Sequence, residues 1–164
     1  MSSSSDRQLI ESLQARLQVL EDREAIRSLL NQYVMRPDEK DWAGYAKLYV
    51  EDGVMGFDQW GDAVGHEAII KAVSKEQAYE GLEHLTANIE ITLEGPDKAS
   101  ATSRLWFCAT PKLSNPNDNF AFGGIYNFAL VKRHDGWKLK SMRLKTLWSQ
   151  GKDTQKIFPI DLSS

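Results

Sequence analysis

His84 and Asp38 are the two residues of this 164-residue chain with the most chemical promise. Histidine is the side chain whose ordinary proton affinity suits general-base work near neutral pH. A buried aspartate beside it orients the ring and raises its basicity, which a general base working near neutral pH requires. His84 stands just before an apolar alternation at an element edge, and Asp38 and Asp41 flank the end of a long apolar stripe. Both aspartates also fit a plainer role, accepting from the free amides at the start of the next helix, and one of them is expected to do so. Tyr33 falls near the end of the first helix, where its phenol can donate into a pocket or simply pack in the core. His66 opens a helix and His134 sits beside Asp135-Gly136 in a turn, so both read as structural or solvated.

Other chemistries find less support. There is no glycine-rich phosphate loop, HExxH or G-x-S-x-G. Gly123-Gly124 lies inside a strand pattern and marks a bend or bulge. The three histidines are too scattered to suggest a metal site by spacing, and the single cysteine, Cys108, excludes an internal disulfide framework and a Cys-based zinc site. The net charge of −3, without a basic block, gives no footing for nucleic-acid binding. No apolar run approaches the ~20 residues of a membrane span, and Met1–Asp6 lacks the apolar core of a secretory signal. A soluble, cytoplasmic protein is the expectation. An apolar fraction of 41% suffices for one packed domain rather than a disordered chain.

Local patterning suggests the elements that must hold these residues. Ile10, Leu13, Leu17 and Leu20, then Ile26, Leu29, Leu30 and Tyr33, form a helical stripe. The charges Glu21–Glu24 suggest a break near residue 21, and Pro37 suggests the stop. Helices follow over Asp41–Val50, where Trp42, Tyr45 and Tyr49 share a face, and over His66–Tyr79, with a short strand at Val54–Phe57 and a turn at Gln59–Gly65. Beyond Gly81 the period becomes two. Strands are predicted at Ala87–Leu93, Ala99–Ala109, Phe120–Arg133 and Trp137–Trp148, with a loop over Pro111–Asn119. Helices first and antiparallel hairpins after define an α+β layout. Residues 1–20 form a tail and helical arm, 21–150 the main domain, and 151–164 an extended tail whose Ile157, Phe158 and Ile160 can cover an opening or a neighbouring subunit. A regular strand would place His84 on the face of Asn88 and Glu90, opposite Ile89. Either that face lines the cavity or a bulge near Thr86 changes the register.

Tyr33, Arg36-Pro37-Asp38, Lys40-Asp41-Trp42, Tyr45, Leu48-Tyr49 and Asp52-Gly53, with Gly65-His66 and Glu83-His84 before a strand, resemble the nuclear-transport-factor-2-like superfamily in its SnoaL-like branch. The likeness extends from about Asp22 to Trp148. Within the branch, the string around Asp38 is similar to the scytalone dehydratases. The position of His84 is similar to the catalytic histidine of those enzymes, of bile-acid 7α-dehydratases and of hexachlorocyclohexane dehydrochlorinases.

The resemblance implies a cone-shaped, curved antiparallel sheet with N-terminal helices on its concave face, enclosing a cavity. It implies His84 as base, Asp38 as orienting carboxylate, Tyr33 as pocket phenol and Asp41 as a helix cap. It also implies no metal, no organic cofactor, a small-molecule substrate and a homo-oligomer, a trimer favoured over a dimer. Two features depart from the pattern. Only Trp106, Phe107 and Cys108 stand where scytalone dehydratases carry a second histidine, and Arg143 and Lys145 are the nearest basic residues to a last-strand arginine.

The function expected is a cofactor-independent lyase, a dehydratase or related eliminase, acting on an apolar cyclic or aromatic molecule. Trp42, Tyr49, Trp106, Phe107, Phe122, Tyr126 and Arg143 are the candidates to line its site. Formaldehyde-releasing carbon–carbon cleavage of an aryl-propanoid, polyketide cyclisation or ketone isomerisation, and a non-catalytic role as a small subunit of a ring-hydroxylating dioxygenase are the alternatives.

Overall fold

The computed structural model describes residues 4–58 and 61–158. Helix α1 (Ser4–Asp38) runs without interruption for 35 residues. A short helix α2 (Trp42–Ala46), strands β1 (Tyr49–Phe57) and β2 (Gly61–Val64), helix α3 (His66–Val73) and a 3₁₀ segment (Ser74–Ala78) follow. Four long strands complete the fold: β3 (Gly81–Leu93), β4 (Lys98–Thr110), β5 (Phe120–Arg133) and β6 (Gly136–Gly151). All six strands form one curved, unclosed sheet in the order β2-β1-β6-β5-β4-β3. The β1–β6 pair is parallel and every other pair antiparallel.

The break expected near residue 21 does not occur. Asp22 is buried and accepts from Lys132 Nζ at 2.7 Å and Trp137 Nε1 at 2.9 Å, so the charge there ties α1 to the β5–β6 hairpin. Burial works against the Asp22 carboxylate, but these two donors outweigh it and hold its pKa below the usual range. Pro37 lies inside the last turn, and α1 ends one residue beyond it, at Asp38. The proline's missing amide costs one bond within that turn, and the chain turns away at Lys40, which has a φ of +59°. Lys40 N–H donates to the Pro37 carbonyl and Asp41 N–H to the Arg36 carbonyl, the paired closure of a Schellman end. Downstream, the second predicted helix stops at Ala46 and Tyr49 already begins β1, while α3 gives way to the 3₁₀ turn at Ser74.

The concave face of the sheet carries the core. Ala101, Leu105, Phe107, Phe122, Tyr126, Phe128, Met142 and Leu144 are buried there beneath Ile26, Leu29, Leu30 and Tyr33 of α1. The opposite face bears Leu85, Trp106 and Trp148, which are partly exposed. Gly123 lies between those two tryptophans, and a Cβ there would meet the Trp148 ring at 2.3 Å. The register shifts between Gly123 and Gly124, as their place in the strand suggested.

The register puzzle on β3 is resolved by a bulge at Asn88. Ala87 pairs with Arg104 but Glu90 with Thr102, so β3 carries one extra residue. Asn88 takes it up with a φ of +54°, a conformation asparagine tolerates better than most residues. Leu82, His84 and Thr86 therefore share the concave side with Ile91, although an unbroken alternation would separate them.

Candidate active site

Asp38 occupies the last turn of α1, where the helix passes the start of β3. Its Oδ2 accepts from the His84 backbone amide at 2.9 Å, and its Oδ1 lies 2.6 Å from His84 Nδ1. A carboxylate only accepts, so Nδ1 carries a ring proton, and in the neutral tautomer this selects, Nε2 holds the lone pair. The His84 side chain is 9% exposed and that of Asp38 26%. Phe107, the cross-strand partner of His84, packs with its ring centroid 4.5 Å from the imidazole. Capping of α2 falls to the other aspartate, since Asp41 Oδ1 accepts from Gly44 N–H at 2.9 Å. Arg36 pairs with Asp41, which keeps that cation off Asp38.

His84 borders a small inner hollow of about 20 Å³, shared with Tyr33, Tyr45, Phe122 and Tyr126. Next to it is an open cleft of about 400 Å³ beside β1, β2 and α3. Phe57, Val73, Glu76 and Phe158 border both, so the hollow is the inner end of the cleft. Tyr33 is buried, with its ring 5.0 Å from Tyr45 and 5.4 Å from Tyr126. Burial raises all three phenols well above their ordinary values, so they are held as proton-bearing donors.

The tail closes the inner end. Phe158 is buried against Phe107 at 5.1 Å and Phe122 at 5.4 Å. Its amide donates to Asp153 Oδ2 at 2.6 Å, and Tyr79 donates its hydroxyl to the other oxygen of that carboxylate. Ile157 lines the cleft beside Phe158. Ile160 and Gln59, which also figured in the sequence reading, lie outside the described residues.

The structure brings together His84, Asp38, Tyr33, Phe107, Phe122 and Tyr126. It sets the other candidates elsewhere. Trp106 points to the outer face and is 40% exposed, because β4 alternates and Phe107 takes the inner side. Arg143 also points outward and makes a paired ion bridge to Asp62 at 2.7 Å, and Lys145 shares its parity. Tyr49 is buried in the core and backs a separate surface depression next to His66, whose Nε2 donates to the Tyr49 carbonyl. Trp42 packs on the core from α2 and borders neither the hollow nor the cleft.

Glu76 escaped the sequence reading. It sits on the 3₁₀ segment at the junction of hollow and cleft. Its Oε2 is buried without a hydrogen-bond partner. Burial is the main cause that pushes its carboxyl up to about 7; the electrostatic influence of His84 lowers it and that of Asp38 raises it. Its sequence surroundings, Ser74-Lys75-Glu76-Gln77, read as an ordinary solvated helix face and carried no signal. Among the described residues no cluster of three or more His, Cys, Asp or Glu side chains is arranged to hold a metal ion, and no helix is long and apolar enough to cross a membrane.

A helix laid across a curved sheet, with an Asp–His pair at the inner end of a cleft, defines a small α+β protein. The profile of the SnoaL-like domain matches residues 18–143, and the chain belongs to that family. It is 30% identical over 138 residues to the terrestric acid biosynthesis cluster protein E of Penicillium crustosum, covering 80% of this chain and 87% of that one. A solved structure assigned as a scytalone dehydratase, from Novosphingobium aromaticivorans, superposes with a TM-score of 0.75 at 23% identity over 82% of this chain and 90% of that one. The hexachlorocyclohexane dehydrochlorinase LinA-type3 of Novosphingobium barchaimii superposes at 0.73 with 16% identity, over 85% and 95% of the two chains. At these identities the two structures share the fold with this chain.

Proposed function

We propose that the protein is a small-molecule lyase in which His84 is the general base and Asp38 its orienting partner. The observation that carries this reading is the double grip of Asp38 on His84 at the border of a hollow lined by phenols. In this reading Nε2 takes a proton from carbon or oxygen, Asp38 stabilises the resulting imidazolium, and Tyr33 donates a hydrogen bond to the leaving or developing oxygen. These steps use side chains alone. The family, the dehydratase and dehydrochlorinase neighbours in fold, and a relative from a biosynthesis cluster all support an elimination or a related isomerisation.

An imidazole is too weak a base for an unactivated C–H bond, so the substrate class is a carbonyl compound with a leaving group β to the carbonyl. The walls call for an apolar cyclic or aromatic body. A hollow of about 20 Å³ holds about one water, so a substrate spans hollow and cleft once Phe158 swings aside. The test is turnover of 3-hydroxycyclohexanone and its phenyl-substituted analogues, followed by enone absorbance. Wild type is expected to convert members of this series, and His84→Ala and Asp38→Asn to lose about 10²–10⁴-fold. Full activity in His84→Ala overturns the assignment.

The leucines of the α1 arm support a second reading, self-association. Ile10, Leu13, Leu17 and Leu20 are each at least half exposed, and their spacing repeats every seven residues, the seam of a coiled coil. The partner we propose for it is the same arm of a second copy of this chain.

A further inference from the structure

We propose that Glu76 is the proton donor of this site, delivering its carboxyl proton to the oxygen that leaves while His84 removes the proton from carbon. The assignment rests on the lyase reading of His84 and adds a residue that reading did not contain.

Position is the first argument. Glu76 borders the hollow that His84 borders and also the cleft through which a substrate reaches it. The second is its unmet bonding. Buried polar atoms are almost always paired, and an unpaired carboxyl oxygen at the border of a hollow is free to bond a group that enters it. Lys75, its neighbour in sequence, and Asp62 line the cleft, but neither hydrogen-bonds Glu76 Oε2. The other groups around it are His84 from β3, Asp38 and Tyr33 from α1, Tyr45 from α2 and Tyr126 from β5.

The third argument is a match of proton affinities. A general acid works best when its pKa lies near the working pH. The phenols of Tyr33, Tyr45 and Tyr126 hold their protons too tightly for that, so they can orient an oxygen but give up a proton poorly. Glu76, pushed up to about 7 by burial, still carries its proton in about half of the molecules at neutral pH and can release it.

The step balances. The α C–H bond breaks and its proton passes to His84 Nε2, while its electron pair becomes the new C=C bond. The C–O bond breaks with its pair on oxygen, and the Glu76 proton converts that oxygen into water. The site is left with an imidazolium and a carboxylate, and proton return from His84 to Glu76 restores it.

The test uses the full-length protein with glutamate carrying ¹³C at the carboxyl. The signal absent from both Glu76→Gln and Glu76→Asp belongs to Glu76, and its titration midpoint is expected at about 7. A midpoint below about 5, the ordinary carboxylate range, overturns the proposal. On the hydroxyketone series, Glu76→Gln is expected to lower kcat about 10²–10⁴-fold with KM little changed. The alkaline limb of the wild-type pH–kcat profile, centred near 7, should vanish in Glu76→Gln and persist in Glu76→Asp. If His84→Ala is inactive and Glu76→Gln retains wild-type kcat, the Glu76 assignment alone falls. If His84→Ala is itself fully active, the lyase reading falls and this proposal with it.

Discussion

Asp38 holds His84 at two points, its backbone amide at 2.9 Å and its ring nitrogen Nδ1 at 2.6 Å. The first bond pins β3 to the end of α1, and the second sets the tautomer. One carboxylate therefore serves both the fold and the chemistry, and substitutions should separate the two.

Asp38→Asn keeps an oxygen for the backbone amide but loses the charge that stabilises an imidazolium. It should unfold within about 1 kcal/mol of wild type while losing most of its activity. Asp38→Ala leaves two buried donors unpaired and should cost about 1–3 kcal/mol besides. Urea denaturation together with turnover measures the split. Equal stability of the two variants would show that the backbone bond contributes nothing.

Glu76 should make stability depend on pH. Its carboxyl titrates at about 7 in the fold against an ordinary value of 4.5. Between those values the folded chain binds more protons than the unfolded one, so stability falls as pH rises through that window and is level above it. Glu76→Gln removes the fall. The variant should match wild type near pH 4 and exceed it near pH 8 by on the order of 3 kcal/mol in urea unfolding. An identical stability difference at both pH values would contradict this.

Phe158 borders both hollow and cleft, so Phe158→Ala should widen the passage between them. Diethylpyrocarbonate should then modify His84 several-fold faster, as mapped by peptide mass spectrometry. His134, in its exposed turn, is the internal control and should not change. An unaltered His84 rate would show that the ring does not obstruct access.

The exposed seam of α1 should govern assembly. Light scattering of a chain lacking residues 1–20 is expected to give a lower mass than the full chain, and so is Leu13→Glu/Leu17→Glu in the intact protein. An unchanged mass in both would remove the arm as the contact.

Much of the architecture was legible in local pattern. The helical stripe, the switch to a period of two at Gly81 and the Asp-Gly turn at 135–136 each arise from contacts a few residues apart, so the α+β layout could be read directly. Element ends were less legible because tertiary contacts decide them. Asp22 looked like a helix breaker until Lys132 and Trp137 supplied its partners. Pro37 looked like the stop, and α1 ends one residue beyond it, at Asp38, where the Lys40 turn closes it.

The site divides along the same line. His84 and Asp38 could be named from residue type and family likeness, because their chemistry is carried by the side chains themselves. That they meet across 46 positions depends on one bulged residue, Asn88, which sets the face His84 shares. The outward turn of Trp106 and Arg143 follows from strand parity. The role of Glu76 follows from burial, which gives an ordinary carboxyl a proton it would lose in water. Residue chemistry is local and is written in the chain; proton affinity and facing direction depend on what packs alongside, and only the folded molecule supplies that.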